Sequence, residues 1–86
     1  MQIFSFTIYC KEANITEEQI DTLYELAEQK KSGILCGVQS GEVYVSFDIE
    51  GTFEEPVIKQ SLEQVKSVGL TPDRVVDDGG LNERKY

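Results

Sequence analysis

The chain has no histidine, and only two cysteines, two prolines and eight basic residues among its 86. Without histidine, the usual general base of neutral-pH chemistry is missing. Cys10 and Cys36 are too few for a disulfide framework, and with no histidine beside them they do not complete an ordinary zinc site. Against the eight basic residues stand 16 acidic ones, a formal net charge of −8. Direct binding of nucleic acid takes clustered lysine and arginine, so the charge argues against it. An acidic domain favours basic partners, although acidity also simply keeps a protein in solution. No apolar run approaches the ~18 residues of a membrane span, and no basic-then-apolar leader opens the chain. The expectation is a soluble, cytoplasmic protein. A chain of this length makes one small domain, which buries only about two-thirds of its unfolded surface.

What the chain does have is alternation. In Glu42–Glu50, Val43, Val45, Phe47 and Ile49 fall on one face, and Glu42, Tyr44, Ser46, Asp48 and Glu50 on the other. A period of two, rich in β-branched and aromatic residues and bounded by Gly41 and Gly51, predicts a half-buried strand. Residues 2–10 alternate in the same way, with Phe4, Phe6, Ile8 and Cys10 toward a core and Ile3, Ser5, Thr7 and Tyr9 away from it.

Two helices are expected. Thr16 and Gln19 have capping-box spacing, and Ile20, Leu23, Leu26, Ala27 and Tyr24 form an apolar stripe, with Gly33 as the stop. Glu17, Glu18, Asp21, Glu25 and Glu28 cover the other side, either a binding face or a solvated one. Thr52 and Glu55 repeat the capping-box spacing ahead of a second stripe, Ile58, Leu62 and Val65 with Val57 and Val68 beside it. Gly69, Leu70 and Pro72 close that helix. A weaker strand over Ile34–Gln39 turns at Ser40–Gly41 into the strand that begins at Glu42. Arg74–Asp77 is a short last strand. The domain spans 1–78, and 79–86 is expected to be a flexible polar tail.

The order is β-α-β-β-α-β. Right-handed crossovers around the central hairpin make this a ferredoxin-like α+β sandwich, a four-stranded antiparallel sheet with two helices on one face. The first and third strands, the most regular, belong in the middle, and the two weak strands at the edges. One sheet face then stays uncovered, carrying Ile3, Ser5, Thr7, Tyr9, Tyr44, Ser46 and Asp48. Tyrosine is favoured at interfaces, so this is a candidate partner or dimer surface; scattered β-formers on a wet sheet are the alternative.

Catalysis has little to work with. No base stands by to activate Cys36, and the acid pairs Glu17–Glu18 and Glu54–Glu55 are what a helix dipole attracts in a first turn. Asp73, Asp77 and Asp78 lack the defined spacing of a cation loop, and Gly33, Gly37 and Gly41 form no phosphate cradle. Enzymes and binders on this fold leave no signature either. An acylphosphatase needs an arginine after the first strand, where Lys11–Glu12–Ala13–Asn14 stands. A copper chaperone needs C-x-x-C. An RNA-recognition motif needs basic surroundings for its aromatics. No catalytic residue, cofactor or metal ligand is expected.

The run Gly37-Val38-x-Ser40-Gly41-x-Val43-Tyr44-Val45-x-Phe47-Asp48-x-Glu50, then Val65-x-x-Val68-Gly69-Leu70, then Val75-x-Asp77-Asp78, resembles a small uncharacterised bacterial domain. That domain often precedes a helix-turn-helix in short regulator or antitoxin-like proteins. The resemblance covers residues 1–78. This chain departs at Leu81-Asn82-Glu83-Arg84, where the DNA-binding helices would begin. The resemblance therefore implies a sensor or partner-binding half without the DNA-reading half, and carries over no functional residue.

The expectation is a small acidic, non-enzymatic protein-interaction module. It would be a regulator or inhibitor, of phage anti-defence or antitoxin-like kind, binding a protein partner that is basic or itself binds nucleic acid. The candidate contacts are Ile3, Tyr9, Tyr44 and Asp48 on the open sheet face and Glu17, Glu18, Asp21, Glu25 and Glu28 on the first helix. One alternative is a nucleic-acid mimic that uses those helix carboxylates. Another is a small-molecule-sensing homodimer paired through its open faces, with loops Lys11–Asn14 and Gly69–Asp73 as ligand contacts.

Overall fold

The computed structural model describes residues 2–30, 32–77 and 83–85, the last as backbone. The elements are β1 (Gln2–Cys10), α1 (Glu17–Lys30), β2 (Gly33–Gln39), β3 (Glu42–Gly51), α2 (Glu54–Ser67), β4 (Pro72–Asp77) and β5 (Glu83–Lys85). The antiparallel sheet runs β2-β3-β1-β4-β5. Its first four strands and two helices form the ferredoxin-like arrangement, with β1 and β3 adjacent in the middle, as their regular alternation predicts.

The sequence pattern also places the core. Phe6, Ile8 and Cys10 from β1 meet Val43, Val45 and Phe47 from β3 and Val75 from β4 on the other side, and Leu23, Val57, Ile58, Leu62, Val65 and Leu70 close over them. Each large apolar side chain buried in this way contributes roughly 1.5–3 kcal/mol relative to exposure. Phe6 and Phe47 are direct cross-strand partners and stack with centroids 5.6 Å apart. That pairing adds about 0.5–1.5 kcal/mol.

The α1 capping box forms as predicted: the Gln19 N–H donates to Thr16 Oγ1 (3.1 Å) and the Thr16 N–H donates to Gln19 Oε1 (3.0 Å). The Gln19 amide Nε2 also donates to the Val68 carbonyl (3.0 Å), so this cap clamps the start of α1 to the end of α2. Gly69 ends α2 with a positive φ of 92°, its N–H bonded to the Lys66 carbonyl at 3.0 Å.

Four expectations are corrected. Thr52 does not cap α2. The cap is Phe53, in extended conformation and with no side-chain cap bond; this puts Pro56 at the third helical position, where no N–H needs a partner. Gly33 does not stop α1 but opens β2, while the Ser32 N–H bonds back to the Ala27 carbonyl (2.9 Å). In α1 only Leu23 and Ala27 are fully buried, and Tyr24 is exposed. Finally, part of the expected flexible tail forms a strand: Glu83–Lys85 pairs with β4, so β4 is not an edge. The rest of that tail, with Asp78, lies outside the described residues. Among the described residues no helix is long and apolar enough to cross a membrane.

Candidate functional site

The helices pack against the core face of the sheet and leave the other face open. Antiparallel register sorts this face into rows, because directly paired residues share a face. Gly33, Asp48 and Ser5 make one row, Leu35, Ser46, Thr7 and Val76 the next, and Gly37, Tyr44, Tyr9 and Arg74 a third.

Each row has its own cross-strand chemistry. Ser5 Oγ donates to Asp48 Oδ1 (2.5 Å), and the Thr7 and Ser46 hydroxyls share a bond of 2.8 Å. In the third row Tyr44 lies across Gly37; a Cβ added to that glycine would come within 3.0 Å of the tyrosine hydroxyl. Beyond Tyr44, Arg74 sits over the Tyr9 ring, its guanidinium carbon 4.3 Å from the centroid. Arg74 Nη1 and Nη2 donate to the two Glu42 oxygens at 2.6 and 2.9 Å. Hydrogen bonding from Arg74 holds the Glu42 carboxyl below its usual range, against a smaller desolvation effect.

Tyr9, Tyr44 and Asp48, three of the four predicted contacts on this face, are thus built into its surface lattice. Ile3, the fourth, is 67% exposed. Leu35, which sequence reasoning missed, is 57% exposed on the same face. An open depression of about 500 Å³ is bounded by Ser5, Thr7, Gly33, Leu35, Ser46 and Asp48. The signal for Leu35 was available: a two-residue turn at Ser40–Gly41 pairs Gln39 with Glu42, and counting back puts Leu35 opposite Ser46. Arg74 and its role had no such signal, because nothing local in the sequence sets the register of β4 against β1.

The five α1 carboxylates form a separate set. Glu17, Glu18, Asp21, Glu25 and Glu28 are all exposed, within one third of the helix circumference, and no ion pair among the described residues engages any of them. They lie on the helix layer, across the sheet from the tyrosines, so the structure does not bring the two predicted sets together.

The thiols are held protonated. Burial, with Glu12 and then Asp73 adding to it, pushes Cys10 up to about 12. Burial also raises Cys36, against a hydrogen bond with Tyr24. The loops proposed for small-molecule contact are laced together: Lys11 N–H donates to the Thr71 carbonyl (2.9 Å), and Thr71 N–H to Glu12 Oε1 (2.8 Å). Among the described residues no group of three or more metal-ligating side chains comes together. Comparison with protein-family models, with curated proteins and with solved structures gives no match to this chain.

Proposed function

We propose that this chain is a small acidic protein-interaction module, a regulator or inhibitor that binds a partner protein across its open sheet face in a cytoplasmic setting. One observation supports this above the others. Two large apolar side chains, Ile3 and Leu35, stand exposed on the one sheet face without helices, the face that also carries Tyr9 and Tyr44. A tyrosine has only two side-chain torsions to fix, so aromatics beside exposed aliphatics lose little entropy on binding, which is the composition of an interface centre. The net charge of −8 favours a basic partner, including one that itself binds nucleic acid.

The α1 stripe favours a second version of the same activity. Five exposed carboxylates, unpaired among the described residues, present a charge array that a basic nucleic-acid groove would accept. The two versions separate by experiment. Binding to a captured basic partner is compared for wild type, for Ile3→Ser with Tyr44→Ala, and for a triple reversal Glu18→Lys, Asp21→Lys, Glu25→Lys, at low and high salt. The open-face version expects the first variant to lose binding and salt to matter little. The mimic expects the reversal to abolish binding, and wild-type binding to collapse as salt screens the carboxylates. Retained binding in both variants defeats both versions.

A further inference from the structure

The two edges of the sheet are built differently. β5 ends it with three consecutive charged residues, Glu83–Arg84–Lys85. β2 ends it with Gly-Ile-Leu-Cys-Gly-Val-Gln, and residues 32–41 contain no charge in a chain that is 28% charged. The other stretch of that length without charge is 1–10, which contains β1, a strand paired on both sides. β2 has the composition of an interior strand in an edge position. Edge strands are ordinarily guarded by charge, proline or a bulge, because their free backbone groups template further pairing.

The turn determines which of those groups are free. Ser40 and Gly41 both have positive φ, 53° and 77°, the mark of a type I′ hairpin closed by the hydrogen-bonded pair Gln39–Glu42. Alternation then directs the backbone groups of Gly33, Leu35 and Gly37 toward β3 and turns those of Ile34, Cys36 and Val38 outward. Val43, the partner of Val38, agrees: its N–H donates away from β2, to the Glu12 carbonyl at 3.1 Å.

We propose that β2 pairs antiparallel with β2 of a second copy of this chain, about a twofold axis at Cys36, joining two sheets into one. Ile34 then faces Val38 of the second copy and Cys36 faces its own counterpart, each facing pair exchanging both its N–H···O bonds. Between these, Leu35 stands opposite Gly37 of the second copy, at the close-approach position of the ladder. Gly37 has no side chain there, and Tyr44 lies across it, so the exposed Leu35 seats against that ring. On the helix face, Val38, 46% exposed, packs beside Ile34 of the other chain. This self-complementarity selects a second copy over an unrelated strand, which has no reason to place glycine opposite Leu35. Charge agrees. Two chains at −8 repel, and the neutral edge is where they can meet without opposing like charges. The pairing uses an edge rather than the open face and stands independently of the partner reading above.

The test is sedimentation equilibrium of the 86-residue chain over a range of salt, with amide exchange at low and high protein concentration. The expected result is a two-chain mass that strengthens with salt, as screening relieves the net repulsion. Exchange at Ile34, Cys36 and Val38 should slow as concentration rises, while Leu35 and Gly37 are protected throughout. Leu35→Lys and, separately, Val38→Lys should weaken association by about tenfold or more. Ile3→Lys should leave it unchanged. A single-chain mass at about 1 mM, with the three outward amides exchanging freely, overturns the proposal. So does a dimer broken by Ile3→Lys and indifferent to both edge lysines, which would place the contact on the open face.

Discussion

Arg74 lies over the ring of Tyr9, with its guanidinium carbon 4.3 Å from the ring centroid. From β4 it reaches across β1 and takes both oxygens of Glu42 on β3, so one planar cation bridges three adjacent strands. Planarity is what permits both contacts at once: one guanidinium face meets the ring while its edge meets the carboxylate. Arg74→Lys keeps the charge but loses the fork and the stacking, and is expected to cost about 1 kcal/mol in urea unfolding. Arg74→Ala should cost more, because the stem packing goes too. A lysine variant as stable as wild type would reduce the site to simple ion pairing.

Two carboxyls should govern acid stability. Desolvation is the largest single influence on Glu12 and pulls it upward, but hydrogen bonds from Thr71 and from its own backbone, with the Lys11 charge, together outweigh it and leave the group below its usual value of 4.5. Glu42 is lowered in the same direction by Arg74. A folded-state value below the unfolded one means that the stabilisation is present above about pH 4.5 and is lost as pH falls through the folded values. The urea midpoint of wild type should therefore hold from neutral pH to that point and then decline. Glu12→Gln with Glu42→Gln should begin lower and decline less steeply. Parallel curves for the two proteins would show that other groups control the acid transition.

The parts of this fold that were legible in the sequence are those that depend on near neighbours in the chain. The alternation of Val43, Val45, Phe47 and Ile49 placed the core face of β3, and the Thr16–Gln19 spacing became a bonded capping box. Thr52–Glu55 has the same spacing and formed nothing, because Phe53 took the cap position. Spacing proposes a cap, and the path of the entering chain decides whether it is used. β5 was not legible, since Glu83–Arg84–Lys85 has no apolar face, and such a strand is defined by the edge it pairs with rather than by its own pattern. In the candidate site, Ile3, Tyr9, Tyr44 and Asp48 followed from parity alone. The grip of Arg74 on Glu42 required the register between strands far apart in sequence.

Close approach at two glycines separates a strict constraint from a soft one. A Cβ at Gly51 would stand 2.6 Å from Val57 Cγ2, a branched side chain buried in the core. At Gly37 the nearest atom would be the Tyr44 hydroxyl at 3.0 Å, the far end of a side chain that can swing toward solvent. Gly51→Ala is expected to destabilise by about 1–3 kcal/mol, by overpacking. Gly37→Ala should cost less, and a better strand propensity offsets part of it. Gly37→Ala should also displace Tyr44, visible as a change in its ring resonances, whereas Gly51→Ala should leave those resonances in place. Equal losses at the two positions would show that Tyr44 is held as firmly as the core.

Gln64 offers a change with the opposite sign. Its side chain is 6% exposed on the buried side of α2, and no described residue accepts a hydrogen bond from its Nε2. Its neighbour Ser61 is equally buried, but that hydroxyl donates to the Val57 carbonyl at 2.9 Å and is satisfied within the helix. A buried amide donor without an acceptor costs its desolvation and returns nothing, whereas an apolar group of the same length costs neither. Methionine matches glutamine in length, flexibility and helix propensity, so Gln64→Met removes the polar atoms while holding shape and backbone preference nearly constant. The expected gain is about 1 kcal/mol, a rise of roughly 4–8 °C in Tm for a domain of this size. Gln64→Glu should move stability the other way at neutral pH, by burying a charge, and should recover as acid protonates it. A loss of stability on Gln64→Met would show that the amide has an acceptor in solution, and that this position on the buried side of α2 is polar by design rather than by tolerance.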